Sequence, residues 1–150
     1  MSKPLAEYFG KVESSDAHHY GFGPIRDFLE YPFAAGSRDW VITNPPFRLA
    51  EQFVDRALTV ARIGVAILAR TVFLESAGRY EDIFQHRPPT IFAQFVERVP
   101  MVKGRLDRKA STATGYAWFV WDKRQQGEAP KLKWVPPCRK ALERDADYVS

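Results

Sequence analysis

Asp39-Trp-Val-Ile-Thr-Asn-Pro-Pro-Phe47, followed by the stretch Arg48 to Arg62, decides how this chain folds. Asp39 to Thr43 is β-branched and aromatic. It follows Gly36-Ser37 and runs into Pro45-Pro46, so it predicts a short buried strand. From Arg48 to Arg62 the period changes. Leu49, Phe53, Ala57, Leu58 and Ala61 share one face, and Glu51, Gln52, Asp55, Arg56 and Arg62 the other, which predicts an amphipathic helix. Gly64 punctuates, and Val65 to Leu68 is a continuous apolar run, as in a parallel strand covered on both faces. Strand, helix and strand in succession predict an α/β fold with a mainly parallel sheet.

The flanks extend this pattern. Residues 3–9 predict a short helix closed by Gly10, and Lys11 to Asp16 a short strand. Gly21, Gly23 and Pro24 mark a loop, and Ile25 to Tyr31 is ambiguous. Ser76 to His86 predicts a second helix through Ala77, Tyr80, Ile83 and Phe84, stopped by Pro88-Pro89. Ile91 to Val96 and Gly115 to Trp121 predict strands separated by a polar loop, 98–113. In the second strand Trp118 is expected in the core and Trp121 near an edge. Lys131 to Val135 is expected as an edge strand before Pro136-Pro137, within a partly extended tail over 126–150. The last strands are expected to add an antiparallel element to a single domain spanning 1–150.

Composition narrows the class. Hydrophobic residues make up 45% of the 150, too many for a disordered chain. No apolar run approaches a membrane span, and Met1 to Val12 lacks the apolar core of a secretory leader, so the cytoplasm is the expected compartment. The single cysteine, Cys138, excludes an internal disulfide framework and is expected to be inert. His18 and His19 read as exposed loop residues and not as metal ligands; no metal is expected. Net charge is +4, concentrated between Arg98 and Lys109, where Arg98, Lys103, Arg105, Arg108 and Lys109 face a single acid, Asp107. Such a loop either solubilises the surface or contacts phosphates.

The tetrapeptide Asn44-Pro45-Pro46-Phe47 sits between strand and helix, where open α/β sheets bind ligands. Neither proline has an N–H and both fix φ near about −65°, so the turn is stiff and poor in local donors. Asn44 Oδ1 and the Pro45 carbonyl could accept both hydrogens of one NH₂ group. Holding those N–H bonds out of plane frees a nitrogen lone pair otherwise conjugated away. Phe47 offers a flat face to a planar substrate. The alternative is that the prolines only end the strand and Asn44 caps the helix.

Val41-Ile-Thr-Asn-Pro-Pro-Phe47 resembles the catalytic motif of the AdoMet-dependent amino-methyltransferases of the (Asp/Asn/Ser)-Pro-Pro-(Tyr/Phe) class, which modify adenine N6, cytosine N4, guanine N2 or protein glutamine. Arg26-Asp27-Phe28-Leu29 resembles the segment in which an acid meets the cofactor's adenine amino group and the next aromatic packs on its ring. Asp16 is similar to the acid that binds the ribose hydroxyls, and Ala69 to Glu75 resembles the stretch after the family's fifth strand. The resemblance covers about residues 5–122. It implies a Rossmann-like fold, S-adenosyl-L-methionine as cofactor, Asn44, Pro45, Pro46 and Phe47 as catalytic residues, and Asp16, Asp27 and Phe28 as cofactor-binding residues. It implies nucleic acid as partner, DNA adenine N6 being the leading target. RNA guanine N2 and protein glutamine are the alternatives.

The chain departs from that family at its start. The family's opening strand and glycine-rich loop are missing, because residues 3–9 resemble the helix that follows them. Gly21-Phe22-Gly23 is too close to Asn44, 23 positions away, to leave room for the intervening strands and helices. The missing strand lies mid-sheet, so its neighbours would carry unpaired backbone groups. Three expectations follow: an N-terminally incomplete chain, a second copy or partner chain that completes the sheet, or a degenerate relative that pairs its strands differently and binds AdoMet weakly or not at all. The rival function is an inactive module that binds nucleic acid or a partner protein.

Overall fold

A computed structural model describes residues 1–20, 23–101, 107 and 109–145. The chain forms two compact units, Met1–Phe33 and Ala34–Ser150.

The first unit contains one short helix, α1 (Ser2–Ala6). None of its residues is buried, and it ends three residues before the predicted boundary, at the Glu7 cap instead of Gly10. With no apolar face packed, little favours propagation past one turn. Lys11 to Ser15 is not a strand. Only Asp16 pairs, as an isolated parallel bridge to Ile25, with Arg26 N–H donating to the Asp16 carbonyl at 2.8 Å. A strand exists only through its neighbour's hydrogen bonds, and Lys11 to Ser15 has no such neighbour among the described residues. Gly23 turns the chain with φ +73°, and a Cβ there would stand 2.6 Å from the Ser14 carbonyl oxygen.

The second unit is a five-stranded sheet in the order β1-β2-β4-β3-β5. The strands are β1 (Arg38–Thr43), β2 (Ala61–Arg70), β3 (Ile91–Phe95), β4 (Tyr116–Asp122) and β5 (Lys131–Val135). β1 pairs with β2 and β3 with β5 in parallel, while β4 runs against both β2 and β3. The fold is therefore α/β with a mixed sheet in which β4 alone is reversed. The two edges differ. β5 carries exposed Lys131 and Lys133 and is followed by Pro136-Pro137, features that discourage further pairing. β1 presents Trp40, Val41, Ile42 and Thr43, all half-buried.

Helix α2 (Ala50–Val60) connects β1 to β2 and buries Ala50, Val54, Ala57 and Val60. The predicted face was Leu49, Phe53, Ala57, Leu58 and Ala61, so the true stripe is rotated. The cause is at the ends. Phe47–Leu49 winds as a 3-10 turn, and β2 starts at Ala61, directly where the helix stops. Lys123 Nζ donates to the Leu58 and Ala61 carbonyls, at 2.7 and 2.6 Å, and closes the helix end.

Gly64 lies inside β2, not between elements. It pairs with Trp40, whose ring atoms stand 2.5 Å from where a Cβ would be. Val65, Ile67, Phe119 and Ala117 are fully buried at the sheet centre. Phe119 packs edge-on against Phe73 and Phe92, with centroids 5.2 and 5.1 Å apart. Trp121 is buried and Trp118 only half-buried, the reverse of the expectation. The reason is polar: Trp121 Nε1 reaches the Arg87 carbonyl at 2.8 Å, so its indole can go inside.

The predicted second helix is a single α-turn, α3 (Ala77–Arg79), capped by Ser76 and continuing as a π-helix, Tyr80–Phe84. Arg79 clamps this region. Its Nε donates to Glu51 Oε1 of α2 at 2.8 Å, its Nη1 to the Glu75 carbonyl at 2.7 Å, and it stacks on Phe73.

Beyond β5, the Cys138 and Arg139 N–H groups that open α4 (Arg139–Leu142) both donate to Glu97 Oε1 at 2.7 Å. Those bonds hold the Glu97 carboxyl below its ordinary value, and burial pushes the Cys138 thiol up. The folded carboxylate is thus stabilised above the ordinary carboxyl range, and the tie is lost as pH falls through its lowered value. Amide exchange at Cys138 and Arg139, corrected for intrinsic rates, is expected to open over that acid range and to be open at pH 7 in Glu97→Ala. Protection unchanged in both cases would remove Glu97 as the anchor.

Candidate functional site

The tetrapeptide occupies the end of β1. Because β1 and β2 are parallel, the carboxyl ends of both strands open on one rim, with Thr43 opposite Ile67 and β2 continuing to Arg70. Asn44 is exposed, Pro45 buried, Pro46 exposed and Phe47 46% exposed. Pro46 is extended (φ −57°, ψ 135°), and its carbonyl accepts the Leu49 N–H at 2.9 Å. Neither the Phe47–Leu49 turn nor α2 takes a side-chain cap, so Asn44 is not a helix cap. The Asn44 side chain and the Pro45 carbonyl accept no hydrogen bond from the described residues. Two uncommitted acceptors on a stiff corner are what the pairing of one NH₂ group requires.

Phe47 has a neighbour that sequence reasoning missed. The Arg70 guanidinium lies 3.7 Å from its ring centroid, stacked over the aromatic face. Arg70 is exposed, and its guanidinium makes no hydrogen bond or ion pair with the described residues. The signal was present in the sequence: Arg70 follows the apolar run Val65 to Ala69, at the carboxyl end of a strand, where open α/β sheets bind ligands.

Asp16, Asp27 and Phe28 belong to the first unit. The parallel bridge between Asp16 and Ile25 brings the two acidic segments side by side. Asp16 Oδ1 accepts the His18 N–H at 2.8 Å, and Asp27 Oδ1 the Leu29 N–H at 2.9 Å. Both are local turns that hold the carboxylate and leave the second oxygen unbonded among the described residues. Phe28 packs on Phe33, with centroids 5.8 Å apart. Two carboxylate oxygens and a ring thus lie on adjacent segments of the first unit.

Of the basic loop, Arg98 and Lys109 are described, and both are exposed. The Lys109 N–H donates to Asp107 Oδ1 at 2.9 Å. Lys103, Arg105 and Arg108 lie outside the described residues, as do Gly21 and Phe22. Among the described residues no group of His, Cys, Asp and Glu could hold a metal ion, and no helix is long and apolar enough to cross a membrane. No family model and no curated protein sequence matches the chain.

Proposed function

We propose that this chain is an AdoMet-dependent N-methyltransferase module acting on a planar exocyclic amine, with adenine N6 in DNA as the leading target. The observation that carries the reading is the pair of uncommitted acceptors, Asn44 Oδ1 and the Pro45 carbonyl, beside the half-exposed face of Phe47 at the end of β1. The order β1-β2-β4-β3, with β4 reversed, is compatible with a Rossmann-like fold.

The chemistry follows from those groups. Asn44 and Pro45 take both hydrogens of the NH₂ and turn its lone pair out of the ring plane. Pro45 and Pro46 hold this geometry without reorganisation, which is where preorganised polar groups gain most. Phe47 fixes the plane of the base, which leaves its helix at a cost of a few kcal/mol. Asp16 and Asp27 bind hydroxyl and amino donors of the cofactor's nucleoside through their free oxygens, and Phe28 covers its ring. AdoMet, if held by Asp16, Asp27 and Phe28, would supply an electrophilic methyl group on its sulfonium, with the neutral thioether as leaving group and solvent as acceptor of the amine proton.

A second reading, a module without transfer activity, is favoured by one observation: Lys11 to Ser15 forms no strand to carry Asp16. Calorimetric titration separates the two. The first expects saturable AdoMet binding that Asp27→Ala removes, together with labelled-methyl incorporation into single-stranded DNA. An absence of heat at millimolar AdoMet would leave only the inactive module.

A further inference from the structure

In the second unit most arginines are spent. Arg62, Arg79, Arg87 and Arg124 pair with Asp39, Glu51, Asp55 and Asp122, and Arg139 bonds the Asp107 carbonyl. The side chains of Arg48, Arg70 and Arg98 are different: none has a hydrogen bond or ion pair among the described residues. Arg70 and Arg98 are linked through Thr71 and Gly115. Thr71, the residue after Arg70, donates its N–H to the Gly115 carbonyl at 3.0 Å. A Cβ on Gly115 would stand 3.1 Å from Thr71 Oγ1 and 3.3 Å from Arg98 Nη1. Gly115 therefore forms a floor against which the Thr71 and Arg98 side chains lie, one position along the chain from Arg70.

Past Arg98 the floor opens into a cavity of about 340 Å³ lined by Gln94, Phe95, Val96, Arg98, Gly115 and Trp134. Trp134 lies on edge strand β5 opposite Gln94 and is 64% exposed, whereas Trp121 is buried. An exposed indole thus shares the cavity with Phe95 and an unpaired guanidinium. Gln94 Nε2 donates to the Phe95 and Tyr116 carbonyls, at 2.7 and 3.2 Å. That fixes the amide orientation and leaves Oε1 as an acceptor with no partner among the described residues.

We infer that this cavity is a second subsite for a nucleic-acid base, stacked on Trp134 with its amino edge toward Gln94, the intervening phosphates held by Arg98 and Arg70. The chemistry selects a single strand. A planar ring face, one amide acceptor and cations with free N–H edges recognise an unstacked base joined to phosphodiesters, not a protein side chain. The inference rests on the proposed reading only in taking the target base to Phe47. The subsite is a binding site and is tested by binding.

The test is titration of the whole chain with a single-stranded DNA decamer, without AdoMet, followed by anisotropy of a labelled strand and by tryptophan fluorescence. The expected result is a quench that Trp134→Phe removes while affinity is largely kept. Trp134→Ala is expected to weaken binding roughly 5- to 150-fold, the range of one base–aromatic stack. Arg98→Ala and Arg70→Ala are each expected to lower the salt slope by about 0.7, as for one phosphate on a single strand. Circular dichroism of each variant establishes folding, and Trp134→Phe is the conservative control. Unaltered affinity in Trp134→Ala, or no wild-type binding at low salt, overturns the subsite. Trp134-dependent binding without methyl transfer supports the subsite and counts against the methyltransferase reading. Methyl transfer with a KM indifferent to Trp134 and Arg98 does the reverse.

Discussion

Asn44→Ala is expected to lower the methyl-transfer rate by about 10²–10³-fold or more, the cost of losing one preorganised polar partner at a reacting centre. The substitution removes one of two acceptors and leaves the amine free to rotate back into conjugation with its ring. Little else should change. Asn44 is exposed, caps no helix and bonds to no described residue, so the melting temperature should stay within the range of neutral surface changes, about 0.5 kcal/mol. AdoMet affinity should be unchanged, because the residues proposed for its nucleoside end are Asp16, Asp27 and Phe28. Asn44→Asp keeps an acceptor at the same place and should retain part of the activity. Initial rates and calorimetry on the same preparations check all of this. If rate and melting temperature fall together, Asn44 is structural and the reading fails.

The largest stability effect is expected at Gly64. A methyl group there would meet the Trp40 ring at 2.5 Å and the Trp121 carbonyl oxygen at 2.9 Å. The ring can swing outward, since Trp40 is only half-buried, but the carbonyl belongs to the β2–β4 ladder and cannot. Gly64→Ala is therefore expected to destabilise the fold by about 1–3 kcal/mol, the usual cost of overpacking. Trp40→Leu should relieve part of that cost, so a double-mutant cycle by urea denaturation should show coupling between the two sites. Strict additivity would mean that the ring is not what Gly64 accommodates.

The β1 side of the sheet was legible in part. β1, α2 and the motif between them are determined locally: a β-branched run, a diproline and a helical period each act over a few residues. The same holds for β3, β4 and β5, whose apolar and aromatic runs could be read to within a residue or two. The failures share a cause. Which face of α2 is buried, which of Trp118 and Trp121 goes inside, and whether Lys11 to Ser15 is a strand depend on groups distant in sequence. Examples are the Arg87 carbonyl under Trp121 and the pairing of Asp16 alone with Ile25, which leaves Lys11 to Ser15 without a neighbouring strand among the described residues.

The sequence by itself determined that a stiff Asn-Pro-Pro-Phe corner follows a buried strand, since proline geometry and strand propensity are properties of the residues. Only the tertiary structure decided what faces that corner. It laid Arg70 over Phe47, placed Gly64 beneath Trp40, and joined Arg98 through Gly115 to the cavity at Trp134. These neighbours are separated by 17 or more positions along the chain, and they meet because the strands pair as β1-β2-β4-β3-β5, a choice made by long-range packing and hydrogen bonding.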